Sequence, residues 1–448
     1  MNKKAIIISI IIFWGSFFAE NTFAQKVLHL NLEQAVEYAY SNNYGLINSG
    51  KDLELAKQKI KESIAEGLPQ INASVTYHDN VARPVFFLPG DLAGKPGQTL
   101  PVQFGTRYDA NLSGQFTQLI FDARYFIGLK AAKASLERTN KDFFKNKLAV
   151  KEKVSETYFQ ILSVKEGLHI IDSTLAITKK LYTQTKKIYK EGLLQDTDVD
   201  QLSLMVSNLK ASRAYMQNQY RIATALFKFY LGLKEKDSVL LSQNLPELIN
   251  LKDKQLISIP KFEVNQNIDL LTVKAMKRLS KLQVGLARAA YFPSINGIVN
   301  YETQAQRPVW NFFNSQKWYQ SAVIGITMRI PVFSSGKRWS NLKQAKLNYE
   351  KTQILEKQTA DQLKIQFQTL KNEYENSIKV YINKRKNKKI AEKIYNKTLE
   401  KYIQGMASSL DLLNTHNQFL TAENGFINAE FSLLQAAEKL QNLTTKAN

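Results

Sequence analysis

Few residues of this chain stand at spacings that support chemistry. The four histidines, His29, His78, His169 and His416, lie far apart, and none belongs to a His-x-x-x-His or acid-rich ligand spacing, the pattern that puts two ligands around one metal ion. With no cysteine in 448 residues, thiolate metal sites, cysteine nucleophiles and disulfides are excluded together. Ser334-Ser335-Gly336-Lys337 resembles the end of a phosphate-binding loop but lacks the first glycine at the required spacing, so it reads as a turn entering a helix. No enzyme activity, metal or cofactor is expected. The acids are placed more suggestively. Asp196, Asp198 and Asp200 follow Gly192, and Asp411 follows Gly405 with no lysine or arginine between Gly405 and Asn414, in a chain whose net charge is +22. If copies of the chain assembled around an axis, each acid would become a ring, and charges crowded into a narrow low-dielectric mouth act strongly on passing cations. An aspartate after a turn also caps the next helix, and for Asp198 and Asp411 both readings stand.

The elements that position these residues are written twice. Leu68-Pro69-Gln70-Ile71 with Tyr77 recurs as Phe292-Pro293-Ser294-Ile295 with Tyr301, at an offset of 224 residues. Tyr189-Lys190-Glu191-Gly192 with Asp198 recurs as Tyr402-Ile403-Gln404-Gly405 with Asp411, at an offset of 213. The offset changes across a variable segment, 81–107 in the first copy and 305–318 in the second. Internal repetition fixes architecture, and each copy reads helix, strand, loop, strand, very long helix, tight turn, helix. The expected boundaries are a first repeat over 25–231 with strands at about 69–80 and 107–120 and helices at about 124–190 and 196–231. A linker at 232–262 separates it from a second repeat over 263–448, with strands at about 293–304 and 319–331 and helices at about 338–402 and 408–443.

The strands alternate. Ile71, Ala73, Val75 and Tyr77 interleave with Asn72, Ser74, Thr76 and His78, and Ala322, Ile324, Ile326 and Met328 recur at every second position of the last strand. Such a face-by-face pattern over about ten residues suits a membrane barrel with lipid outside and water inside; a half-buried soluble sheet shows it too. Four strands cannot close a barrel, which needs about eight or more, so a barrel reading requires several copies. The long helices carry an apolar seam, Val154, Tyr158, Ile161, Leu168, Ile171, Leu175, Tyr182 and Tyr189 in α-helical steps, for lateral packing. A helix from 124 to 189 spans roughly 100 Å at 1.5 Å per residue, far more than a bilayer. The lysines and arginines, 61 against 39 acids, are spread along these helices, including the cluster Lys384, Arg385, Lys386, Lys388 and Lys389, and read as a solvated surface; no nucleic-acid partner is expected. At the start of the chain, Lys3 and Lys4 precede an apolar run and then Thr22-Phe23-Ala24, which predicts an export leader over 1–24.

The paired strand starts, the strand ends Gln118-Leu119-Ile120-Phe121-Asp122 and Arg329-Ile330-Pro331-Val332-Phe333, and the two Tyr-x-x-Gly turns together resemble the TolC family of outer-membrane efflux proteins, from about Leu32 to Leu443. The resemblance implies a mainly α fold with a transmembrane β-barrel: a homotrimer with a twelve-strand barrel in the outer membrane and a long α-helical barrel through the periplasm. It implies three kinds of neighbour: outer-membrane lipid, a periplasmic adaptor protein, and an inner-membrane pump reached through that adaptor. It places Tyr189, Gly192, Leu193, Tyr402 and Gly405 at the periplasmic tip where the adaptor docks, with Asp198 and Asp411 as acids of the pore mouth. Ala407 and Asn414 replace residues that are charged in the family's best-studied member, which puts that member's closing network in doubt here. The function implied is a passive exit duct for small toxic compounds in a tripartite efflux system. A duct for exported polypeptides in type I secretion is the alternative within the fold, and a non-conducting structural coiled coil of the envelope is the alternative outside it.

Overall fold

The computed structural model describes residues 27–94, 96–256 and 261–446, so the leader expected at 1–24 lies outside the described residues. In chain order the elements are β1 (Val27–Leu30), α1 (Leu32–Asn42), α2 (Tyr44–Ala65), β2 (Gln70–Asp79), β3 (Val85–Pro89), β4 (Thr99–Gln103), β5 (Tyr108–Asp122), α3 (Ala123–Lys190) and α4 (Asp196–Leu231). After these come β6 (Ser238–Leu241), α5 (Leu245–Leu256), α6 (Ile268–Ala289), β7 (Ser294–Arg307), β8 (Tyr319–Arg329), α7 (Lys337–Ile403) and α8 (Ser409–Thr444). The protein is mainly helical, because α3 and α7 alone hold 68 and 67 residues. Both start where the chain leaves a strand and free amides need acceptors. At α3 the Asp122 carboxylate accepts from the Arg124 backbone N–H at 2.7 Å. At α7, Ser335 (φ 46°) and Gly336 (φ 80°) turn the chain into Lys337, the turn-into-helix expected of the Ser-Ser-Gly-Lys segment.

Cα packing divides the chain into two units, the boundaries falling inside α2, α3 and α7. The helical unit comprises 27–48, 146–256, 261–263 and 365–445 among the described residues. Its core joins Val154, Tyr158, Phe159 and Leu162 of α3 to Ala223, Phe227 and Leu231 of α4 and to Ile427 and Leu434 of α8. Of the seam on α3, Val154, Tyr158, Ile161, Ile171 and Leu175 are buried, whereas Tyr189 is exposed at the helix end. The segment 232–262, expected as a linker, is more than that. β6 pairs in parallel with β1, Leu245, Leu248 and Ile249 of α5 enter the core, and the Tyr158 hydroxyl donates to the Leu30 carbonyl at 3.3 Å. Four-residue strands with little alternation left no periodic trace of this in the sequence.

The second unit, the described residues of 49–145 with 264–364, holds a four-stranded antiparallel sheet in the order β2-β5-β7-β8. The register pairs Ile71 with Phe116, Phe116 with Val299 and Val299 with Ile324, so the apolar positions of all four strands fall on one face. β3 and β4 form a separate two-stranded hairpin with Pro89 and Pro101 in its strands, in the segment 81–107 expected as a loop. The two prolines masked it, because proline weakens a strand reading while being tolerated at sheet edges.

Candidate functional site

Two features are candidates for function, one in each unit. The first is the sheet. Its apolar face carries Ile71, Ala73, Val75 and Tyr77 on β2, Ala110, Leu112 and Phe116 on β5, Val299 and Tyr301 on β7, and Ala322, Ile324, Ile326 and Met328 on β8. Ile71 and Val75 are 77 % and 76 % exposed, Ile324 and Ile326 83 % and 74 %. Covering those four side chains is worth ~2 kcal/mol each, roughly 8 kcal/mol together, which rivals the ~5–15 kcal/mol net stability of an entire domain. The other face is mostly polar, Ile298 and Val323 excepted, and internally bonded. Ser74 and Ser113 hydroxyls lie 2.7 Å apart, His78 Nδ1 lies 2.8 Å from Asp109 Oδ1, and Asn111 donates to Glu302. β2 and β8 each pair on one side only. An unpaired edge in a hydrocarbon medium costs several kcal/mol per open backbone group. Aromatic residues flank the strands: Tyr77 packs on Tyr108 and Phe312, and Phe312 on Trp318, as side chains that favour a membrane–water boundary do.

The second feature is a pair of helix reversals in the helical unit, α3 into α4 and α7 into α8. Gly192 and Gly405 both take left-handed backbone angles, φ 74° and 73°, as expected of a glycine that ends a helix. Each reversal closes alike: Leu193 N–H donates to the Ile188 carbonyl and Met406 N–H to the Lys401 carbonyl. Tyr189 and Leu193 of the first reversal are exposed, as are Ile403 and Met406 of the second. Tyr402 is half-buried, its hydroxyl 3.0 Å from that of Thr185; burial raises its pKa, against the effect of that hydrogen bond. An open groove of about 780 Å³ lies between the reversals, lined by Leu181, Ile188, Asp198, Tyr402, Gly405 and Ala407 among others.

The acids of the two reversals are held differently. At the second, Ser408 is the N-cap of α8, and its side chain and the Asp411 carboxylate form a capping box. Asp411 Oδ2 accepts from the Ser408 hydroxyl at 2.7 Å and its amide at 3.1 Å. These bonds hold the Asp411 carboxyl below the usual carboxylate range. At the first reversal, Gln195 is the N-cap and makes no side-chain capping bond. Asp198 caps nothing; it accepts from the Ser409 hydroxyl, which also lies 2.6 Å from Gln201 Oε1. Ser409 is buried and ties the two reversals together. Asp196 and Asp200 are exposed, as is Asn414.

A stripe of buried polar residues on α8 went unread in the sequence. Ser409, His416, Glu423 and Glu430 recur every seven residues and are all buried. The signal was present as ionisable residues at heptad spacing along an otherwise apolar helix face. The basic cluster on α7, expected as a solvated surface, is turned toward this stripe in part: Lys388 Nζ lies 3.0 Å from Glu423 Oε2.

Comparison with known proteins agrees with these features. Residues 263–445 match the family model described as outer membrane efflux protein. The outer membrane protein TolC of Vibrio cholerae is 21 % identical over 342 residues, covering 74 % of this chain and 71 % of that protein. The cation efflux system protein CusC of Escherichia coli is 22 % identical over 368 residues, covering 78 % and 72 %. Among solved structures, the Campylobacter jejuni CmeC outer membrane channel superposes with a TM-score of 0.73 at 16 % identity, over 92 % of this chain and 85 % of that one. CusC superposes at 0.72 and 15 % identity, over 94 % and 93 %. Over residues 263–445 the chain thus carries the outer membrane efflux protein pattern, along most of its length it is similar to outer-membrane efflux proteins, and its place is the outer membrane with an extension into the periplasm.

Proposed function

We propose that this chain is the outer-membrane channel subunit of a tripartite efflux system, a passive duct for small toxic compounds with no catalytic activity of its own. The observation that carries the reading is the sheet: one face dominated by exposed apolar side chains, one mostly polar and hydrogen-bonded face, and two open edges. Strands of 10, 15, 14 and 11 residues are long enough for the ~25 Å apolar band of a membrane barrel. Three copies supply twelve strands, which closes both edges, turns the apolar face to lipid and leaves the polar face to water. The two sequence repeats then contribute equivalent strand pairs to that wall.

In the helical unit, the reversals form the periplasmic tip. Exposed Leu193, Tyr189 and Met406 offer apolar anchors to an adaptor, which couples the duct to an inner-membrane pump, and Gly192 and Gly405 shape that surface. Asp198 and Asp411, repeated threefold, give the mouth its preference for cations. The similarity to outer-membrane efflux proteins supports the duct reading.

Because the chain has no cysteine, edge pairing is open to a clean test. Single cysteines are placed along β2 and along β8, one of each per chain, and oxidised in outer-membrane vesicles. Ladders ending at three linked chains are expected. Crosslinks confined to single chains, or ladders running past three, would refute the trimeric wall.

A further inference from the structure

The buried stripe on α8 combines acids and cations in unequal number. Glu423 is 4 % exposed, Glu430 3 % and Glu438 4 %. Glu438 is paired with Lys151 of α3 at 3.1 Å and Glu423 with Lys388 of α7 at 3.0 Å. Glu430 has no ion pair among the described residues. The charged groups acting on it are Lys388 and Arg385 from α7, Glu166 from α3, and Glu423 one heptad away on α8 itself. Lys388 is already held by Glu423 and also lies 4.8 Å from the Phe426 ring centre, so of the two cations that act on Glu430 one is committed elsewhere and neither is paired with it.

We propose that Glu430 is a proton-responsive latch, packed as a neutral acid between α8, α3 and α7 in acid and charged without a partner in alkali, so that the helical unit loosens along α8 as pH rises. A neutral carboxyl packs at little cost once hydrogen-bonded or enclosed, whereas an ionised one without a counter-ion in a dry interior is strongly unfavourable. Burial acts first on Glu430 and holds its carboxyl up at about 7 against an ordinary 4.5; Glu423 is raised too, again by burial first, with Lys388 opposing. The sign follows from linkage. A carboxyl whose folded pKa is raised contributes fully below its unfolded value, and the contribution is lost as pH rises through the folded value. The window is pH 4.5 to about 7. His416, one heptad before Glu423 and packed edge-on against Tyr395, is pushed down to about 4 by burial and stays neutral across that window.

The test is hydrogen exchange of the full mature protein in detergent, read on α8 peptides around 423–436 at pH 6 and pH 8 after correction for the chemical exchange rate. In the wild type, protection there should fall about tenfold from pH 6 to pH 8, and in Glu430→Gln it should stay level and exceed the wild type at pH 8. Equal protection of the wild type at the two pH values, or an undiminished fall in Glu430→Gln, overturns the latch. Should the variant fail to assemble, infrared titration of the wild type decides. A protonated-carboxyl band disappearing with a midpoint near 7 supports the latch, and complete ionisation of the buried acids by pH 6 overturns it. None of these readouts depends on conduction or on the efflux reading.

Discussion

The two helix reversals occupy equivalent positions in the sequence repeats, yet their acids do different work. Gly192 and Gly405 share one backbone angle, so the bend itself is duplicated. The caps are not. Ser408 stands where the first copy has Gln195, and a serine at that position draws the acid three residues on into a capping box, which fixes Asp411 to its own helix. Glutamine makes no such bond here, and Asp198 is left to bond across to Ser409. One substitution at the N-cap thus decides whether the acid stabilises a single helix or connects two. A repeat conserves the shape of a turn more strictly than the role of each side chain in it.

The largest effect should come from what the reversals share. Valine at Gly192 and Gly405 would sit at positive φ, strained by ~1–3 kcal/mol at each position. A Cβ at either glycine meets nothing within 4 Å, so the damage is to the backbone path and stays local. We expect the double variant to reach the membrane and assemble but to lose adaptor crosslinking and efflux. Normal efflux with normal crosslinking would show that the reversals need no left-handed residue.

A smaller effect separates the two. Ser409→Ala removes the donor to Asp198 and leaves a half-buried carboxylate short of a partner, a cost of about 1–3 kcal/mol. Ser408→Ala removes a cap at about 1 kcal/mol. Hydrogen exchange should show Ser409→Ala loosening both reversals, at 193–202 and at 406–415, and Ser408→Ala loosening the second alone. Matching footprints would erase the distinction drawn between Asp198 and Asp411.

Much of this was legible in the sequence, for physical reasons. Long runs with no proline and few glycines have few ways to end, so the four long helices could be placed by their caps and turns. Period-two alternation marked the four long strands, and the helix-ending glycines announced their own positive φ. The parts that were missed depend on partners far away in the chain. β1 and β6 are too short to show a period and exist because they pair with each other. The hairpin of β3 and β4 carries prolines that argue locally against strands. At the candidate site, the choice of acceptor for Ser409 and the partner of Lys388 turn on contacts between residues 211 and 35 positions apart, which spacing alone does not reveal.

The purified mature protein in mild detergent offers the most direct decision, with its protein mass measured and the same fraction recorded in a planar bilayer. Three processed chains per particle and discrete conductance steps are the expected result, since one chain supplies four strands and two open edges. A stable monomer that still conducts would contradict the barrel built from three copies.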